Sequence, residues 1–217
     1  TGAVSFFVGA LALYWTQFSI TTTVYRATFL TVCLALIFIL YPLARPGPDG
    51  APATRRPNIE ELVVALIAAA MLAYVLHNPN PAVAVFGRSG FGYGVGVLLV
   101  ASFLAYPLLV SNRFLARLQP VDWFFAALAL YAAYYLSTNI EEFKTRAMRP
   151  SADELVLGLA LMLLVLEATR RTVGWVLPAI AAVFLVYCYA GTGWLIPDMF
   201  EHRGFTLNRI VGQNYLT

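Results

Sequence analysis

An all-α integral membrane fold, a polytopic bundle of about seven transmembrane helices, is what this sequence predicts, and three observations predict it. Of 217 residues, 60% are hydrophobic and 12% charged, against about 45–50% and about 25% in a soluble domain. Mean hydropathy is +0.75. The apolar residues come in continuous runs of 16–20, not in the alternation over about 10 residues that marks a barrel strand. Seven segments of roughly 20 residues take up about 140 residues and leave short connections. A lone globular core of this composition would leave too much apolar surface in water. The soluble enzyme, the secreted disulfide scaffold and the disordered regulator are therefore excluded.

The first run, Ala3 to Ile20, turns polar at its end through Thr16, Gln17 and Ser19. The Thr21–Thr23 triplet separates it from the second run, Val24 to Leu43, interrupted by Arg26 near its edge. Residues 44–57 hold four prolines, two glycines and three arginines, a density of proline that no helix survives. The third run follows Asn58, a suitable N-cap with Glu60 and Glu61 in the first turn, and continues to Leu76. His77-Asn78-Pro79-Asn80-Pro81 is a break, and Ala82 to Ser89 reads as a short re-entrant or interfacial piece. Run four begins among Gly90, Gly92, Gly94 and Gly96 and ends near Val110. Run five, Val121 to Ser137, follows Pro120 with Asp122 in its first turn; run six is Glu154 to Thr169, and run seven is Val173 to Ala190. The tail from Gly191 to Thr217 mixes Gly, Pro and charge with Trp194, Phe200, Phe205 and Ile210, the pattern of an interfacial segment.

The charge rule assigns no orientation. Alternating connections place Arg45, Arg55, Arg56, Arg113, Arg117, Arg170 and Arg171 on one side, and Arg26, Arg88, Lys144, Arg146, Arg149, Arg203 and Arg209 on the other. Seven against seven carries no positive-inside bias. An internal repeat over 26–78 and 91–139 is visible. Phe38-Ile39-Leu40-Tyr41-Pro42-Leu43 is echoed by Phe103-Leu104-Ala105-Tyr106-Pro107-Leu108, and Glu61 through Asn78 aligns with Asp122 through Asn139, Tyr74 against Tyr135. Each unit is a helix ending at Tyr-Pro, a connection, and a helix starting at an acid; chance alignment of Ala-, Leu- and Tyr-rich helices is the competing explanation.

Chemistry concentrates at Leu164-Val165-Leu166-Glu167-Ala168-Thr169-Arg170-Arg171. Glu167 lies three and four residues before Arg170 and Arg171, so the three share one helical face. A lone carboxylate near a membrane is costly and a paired one much less so. The group reads as an interfacial ion pair ending the helix, or as a charged hinge that clamps a neighbouring helix or a lipid headgroup. Gly92 and Gly96 form a GxxxG spacing that lets another backbone approach, a helix-packing site. Tyr131, Tyr134, Tyr135 and Trp15, Trp123, Trp175, Trp194 fit interfacial belts and helix packing better than a cofactor box.

The counts argue against catalysis. Cys33 and Cys188 sit in apolar runs without CxxC spacing, and two histidines, His77 and His202, are too few for a metal centre or a bis-histidine haem. Thirteen Arg and one Lys are scattered without a basic run, so nucleic acid is not indicated. There is no HExxH, GxSxG or Walker loop, and the hydrophobic middles hold almost no ionisable residue of the kind a proton or ion path needs. No enzyme activity, cofactor or metal is expected. The chain opens with Thr1-Gly2 and lacks a signal-peptide pattern.

Leu166-Glu167-Ala168-Thr169-Arg170-Arg171-Thr172-Val173-Gly174-Trp175, then Pro178, Phe184–Tyr187, Gly193, Pro197, His202-Arg203-Gly204, Arg209 and Tyr215-Leu216-Thr217 resemble the fused permeases of tripartite ATP-independent periplasmic (TRAP) transporters, specifically the TAXI subfamily. More loosely, Arg26 to Pro42 and Pro120 to Arg149 look like the small-permease helices that precede this motif. The resemblance implies a chain of two parts: small-permease-like helices over 1–150, with five spans, and the start of a large-permease-like region over 151–217, with two spans and an interfacial tail. It implies that Glu167, Arg170, Arg171, His202, Arg203 and Gly204 stand at that start, and that the protein lies in a bacterial inner membrane. In the family, the small and large parts together move organic acids by a sodium-driven elevator fed by a periplasmic binding protein. Family members continue for several hundred residues past the position of Thr217, and their ion and substrate sites lie there.

Two functions are therefore expected. The first is a non-catalytic accessory subunit packed in a larger membrane complex, respiratory or photosynthetic for example, which the length of 217 residues favours. The alternative is the N-terminal scaffold module of a TAXI-type TRAP transporter. The partners expected are other integral membrane subunits and lipids, with a periplasmic binding protein under the transporter reading.

Overall fold

A computed structural model of the chain describes residues 6, 9–10, 13, 22–44, 56–77, 90–139, 142, 150–191 and 203–215. Among them there are helices and no strands. In chain order these are α1 (Thr22–Leu40), α2 (Ile59–His77), α3 (Gly90–Leu104), α4 (Tyr106–Ser111), α5 (Arg113–Leu118), α6 (Pro120–Thr138), α7 (Ala152–Val173), α8 (Val176–Ala190) and α9 (Leu207–Tyr215). The all-helical bundle expected from the apolar runs is present. Among the described residues, no single helix is long and apolar enough to cross a membrane. The first run, Ala3 to Ile20, lies outside the described residues apart from helical positions 6, 9, 10 and 13; so does the segment Ala82 to Ser89.

Local chemistry sets the boundaries. The Tyr41 N–H still donates to the Ile37 carbonyl at 2.8 Å, and Pro42, with no N–H, ends α1 there. The α2 start is closed by its own acid: the Asn58 N–H donates to Glu61 Oε2 at 2.7 Å, while the Glu61 N–H donates to the Asn58 carbonyl at 3.1 Å. Run four is not one regular helix. Pro107 cannot donate to the Phe103 carbonyl, so one rung of the ladder is missing; Ala105 keeps right-handed helical angles (φ −75°, ψ −8°), donates to the Ala101 carbonyl and accepts from the Leu109 N–H, both at 2.9 Å, and carries the chain on into α4. The Asn112 side chain then caps α5 by accepting from the Phe114 N–H at 2.9 Å. A single residue, Gln119, in the left-handed region at φ +47°, turns α5 into α6, which opens on Pro120.

Run six is longer than the sequence suggests. Ser151 and Glu154 form a reciprocal capping box, and α7 then runs 22 residues to Val173. Glu167 consequently lies inside the helix and Arg170 and Arg171 in its last turn, and none of them terminates it. What stops α7 is Gly174, at φ +100°, a conformation that side-chain-bearing residues rarely adopt. Trp175 follows directly as the N-cap of α8, so run seven begins at Val176 and not at Val173.

The helices pack crosswise. α1 lies along α6, and α2 lies along α3 and α4; α7 contacts α1, α3, α6, α8 and α9. Ala126, Ala129, Ala132 and Ala133 form a small-residue ridge on the buried face of α6, which lets α1 approach closely. The core centres on aromatic contacts: the Phe125 ring lies 5.2 Å from Phe38 and 5.5 Å from Phe103, and Phe103 lies 5.4 Å from Tyr106. Both phenylalanines of the repeated sequence thus flank the same ring. Leu155, Val156, Leu157, Ala160, Leu161 and Leu164 of α7 belong to this same core, so the position-150 boundary implied by the resemblance falls in a connection while α7 is embedded among the preceding helices.

Truncating the ring shared by both repeated phenylalanines removes more than a cap does. Phe125→Ala is expected to cost about 3–5 kcal/mol and Ser151→Ala about 1 kcal/mol, compared by unfolding of the purified chain followed by circular dichroism. Equal losses would show that the core does not centre on Phe125.

Candidate functional site

Two consecutive arginines of α7 gather the bundle at one end. Glu167 is their acid. Its Oε2 accepts from Arg170 Nε at 2.8 Å, and its Oε1 accepts from Arg170 Nη2 at 2.8 Å, Arg171 Nε at 2.6 Å and the Tyr106 hydroxyl at 2.8 Å. The Arg170 contact is bidentate, the geometry in which a guanidinium and a carboxylate bind best. These side chains are nearly sealed from solvent, and Tyr106 is fully buried.

Arg171 reaches further. Its Nη1 donates to Asp122 Oδ1 in the first turn of α6 at 2.5 Å and to the Tyr41 carbonyl beyond α1 at 3.3 Å; its Nη2 donates to the Tyr106 hydroxyl at 3.2 Å. Three rings surround the guanidinium, with Phe38 at 5.1 Å, Phe125 at 5.8 Å and Tyr106 at 5.9 Å, where π faces attract a cation. Asp122 in turn accepts the Leu43 N–H on Oδ2 at 3.2 Å. Arg170 faces the other way. Its Nη1 lies 3.6 Å from Glu60 of α2, and its guanidinium sits 5.5 Å from the Trp175 ring at the start of α8.

The two arginines therefore touch α1, α2, α4, α6 and the lead-in to α8. Glu167 and Asp122 balance Arg170 and Arg171 charge for charge, as burial requires. Every oxygen of Glu167 is occupied by donors from the chain itself. Such an arrangement can hold helices in fixed relation; Glu167 and Arg171 are spent on it, while Arg170 Nη1 keeps only its 3.6 Å contact with Glu60. Among the described residues, no three His, Cys, Asp or Glu side chains are grouped to hold a metal ion.

The other expected sites are placed as follows. Gly92 is buried and Gly96 half-buried on α3, while an added Cβ at Gly90 or Gly94 would meet nothing within 4 Å. His202 lies outside the described residues. Arg203 is exposed, and Gly204 turns the chain at φ +60° ahead of α9. That turn is anchored by the Phe205 N–H, which donates to the Cys188 carbonyl of α8 at 2.8 Å, and Arg209 covers the Phe205 ring at 4.8 Å.

Sequence reasoning found the Glu167, Arg170, Arg171 triad through its i, i+3, i+4 spacing and missed Tyr106, Asp122 and Glu60 as its partners. The signal for two of them was present. Tyr106-Pro107 is the echo of Tyr41-Pro42, and both Tyr-Pro turns end on Arg171, one through a phenol and the other through a carbonyl. Asp122 is the acid that opens the second helix of the second unit. The chain matches no family model, no curated protein and no solved structure.

The cluster carries a ranked prediction. Glu167→Ala strands two buried guanidiniums and is expected to cost about 3–5 kcal/mol, and Tyr106→Phe, losing a bond to a charged group, about 1.5–3 kcal/mol. Glu60, 56% exposed, is worth less than about 1 kcal/mol when changed to Gln. In a double-mutant cycle, Asp122→Asn and Arg171→Gln are expected to couple by about 0.5–3 kcal/mol; additivity would mean that the pair does not act as a unit.

Proposed function

We propose that this chain is a membrane-embedded, non-catalytic helical scaffold that moves no solute by itself: the stationary, TRAP-permease-like module of an organic-acid transporter, holding the neighbouring membrane parts in place. The single observation that carries this reading is the pairing of a self-satisfied interior with an apolar exterior. Inside, the charged groups of the α7 cluster are consumed in clamping helices to one another. Outside, large apolar side chains face outward on α2 and α8: Leu66 is 70% exposed on α2, and Val183 and Phe184 are 68% and 62% exposed on α8. Surface of that kind is expected against lipid or another membrane helix and aggregates in water.

The motif from Leu166 to Trp175 supports the TRAP assignment, because its residues are the ones that build the clamp. Glu167, Arg170 and Arg171 make the ion cluster, Gly174 supplies the positive-φ turn, and Trp175 returns to Arg170. These are positioning roles, and a stationary module needs nothing more. Orientation across the membrane follows from neither the arginine distribution nor the helix order.

The reading is tested in two steps. Produced in bacterial membranes, the chain is expected to remain in the pellet after alkaline extraction and to be recovered, in mild detergent, with a large permease-like membrane protein in fixed ratio. Reconstituted alone in liposomes under an inward sodium gradient, it is expected to take up no organic acid beyond protein-free liposomes. Release by alkali overturns the membrane assignment, and sodium-driven uptake by the chain alone overturns the scaffold role. Recovery with respiratory or photosynthetic subunits, without a permease, replaces the transporter module by an accessory subunit.

A further inference from the structure

A groove of about 260 Å³ runs between α2 and α8 over a floor made by α3 and α7. Ile67 and Ala68 of α2, Leu99 and Phe103 of α3, and Ala179 and Ala182 of α8 make it apolar along its length. One end differs. There the groove meets Glu167, Arg170 and Trp175, at the end of the bundle where α7 carries its arginines. Trp175 Nε1 is shielded from solvent and, among the described residues, is the one buried side-chain nitrogen or oxygen without a hydrogen-bond partner. A buried indole N–H ordinarily finds an acceptor, and leaving one unmet is costly. Beside it, Arg170 is held on one side by Glu167, whereas its Nη1 makes only a 3.6 Å contact with the largely exposed Glu60.

An apolar slot that ends at an unmet donor and at a guanidinium nitrogen, Arg170 Nη1, with only a weak contact is complementary to one kind of molecule: an amphiphile with an alkyl chain and an anionic oxygen at its head. We propose that this groove binds a phospholipid, with one acyl chain lying between α2 and α8 and the phosphate accepting from Trp175 Nε1 and Arg170 Nη1. The phosphate supplies the missing acceptor and takes the place of the weak Glu60 contact on Arg170. A partner helix, about 10–12 Å across with its side chains, would have to part α2 from α8 and would bring no anion to the polar end. Under this proposal, the lipid is a wedge that fixes the spacing of α2, which packs on α3 and α4, and α8, which packs on α7 and α9. The inference rests on the membrane location proposed above.

Native mass spectrometry of the full chain in mild detergent, titrated with dioctanoylphosphatidylglycerol, tests it without a bilayer. A one-to-one adduct is expected, with dioctanoylglycerol, which lacks the phosphate, binding at least about tenfold more weakly. Trp175→Phe keeps the ring and removes the N–H, and is expected to weaken binding about three- to tenfold. Ala179→Leu fills the slot from an exposed position of α8 and is expected to abolish the adduct with unchanged thermal unfolding. Equal binding of the two lipids, an adduct that survives Ala179→Leu, or no adduct at all overturns the proposal. A chain that resists alkaline extraction yet takes no lipid loses this inference alone. One that binds the lipid yet is released by alkali loses only the membrane scaffold reading.

Discussion

Burial of the Arg171 guanidinium is the constraint on which the rest of the structure depends. A cation that deep is tolerable only where anions and acceptors converge on it from several directions, because desolvation otherwise exceeds what any one partner returns. Here they arrive from four segments: Glu167 one turn back on α7, Asp122 from α6, the Tyr41 carbonyl beyond α1 and the Tyr106 hydroxyl from α4. The rings of Phe38, Tyr106 and Phe125 complete the shell. None of these can shift without exposing an uncompensated charge, so one side chain fixes the relative positions of α1, α4, α6 and α7. Arg170 extends the same logic to α2 through Glu60 and to α8 through Trp175, with weaker contacts.

The Tyr-Pro turns make this convergence possible. Proline at positions 42 and 107 withholds an N–H from the helix ladder, so the chain must bend or end within a residue or two. Ending at Tyr41 frees a backbone carbonyl, and the Tyr106 phenol beside Pro107 is buried in the core. The two units also meet crosswise, α1 of the first on α6 of the second and α2 of the first on α3 and α4 of the second. Each unit therefore completes the other, and α7 closes the gap they leave between them. An acid in the first turn of each second helix does comparable work in both: Glu61 accepts the Asn58 N–H and Asp122 accepts the Leu43 N–H.

The all-helical class and the order of the main helices were legible because continuous apolar runs bounded by proline, glycine and capping residues leave few other solutions. Their number was not, since run four divides into α3 and α4 and α5 lies in an expected connection. The ion triad was legible too, since i, i+3 and i+4 spacing is a local property. Its partners were not: Tyr106 is 61 residues from Glu167, and Asp122 is 49 from Arg171, separations at which a sequence carries no geometric signal without the fold. The end of run six was misplaced for a related reason. Two arginines in succession read as a helix terminus facing solvent, but their charges are met inside, and the helix goes on until Gly174 stops it. The division of run four was foreseeable from Pro107, yet the surrounding apolar run masked it.

The cluster also makes the bundle unequal in stiffness. At its end, α1, α2, α4, α6 and α7 are tied by charge, by hydrogen bonds and by aromatic packing. α8 rests chiefly on α7 and α9, through the Gly174 turn, the contact of Trp175 with Arg170 and the Phe205 to Cys188 hydrogen bond. Its outer face carries Val176, Ile180, Val183 and Phe184 without a covering helix among the described residues. Contact on the outer face of such a helix, packed on one side and apolar on the other, disturbs none of the buried charges. The groove beside it, closed by Ala179 and Ala182, lies between this lightly held helix and the pinned α2. Rigidity and adaptability are thus separated within one small bundle, and Arg170, shared by the ion cluster and the groove, joins them.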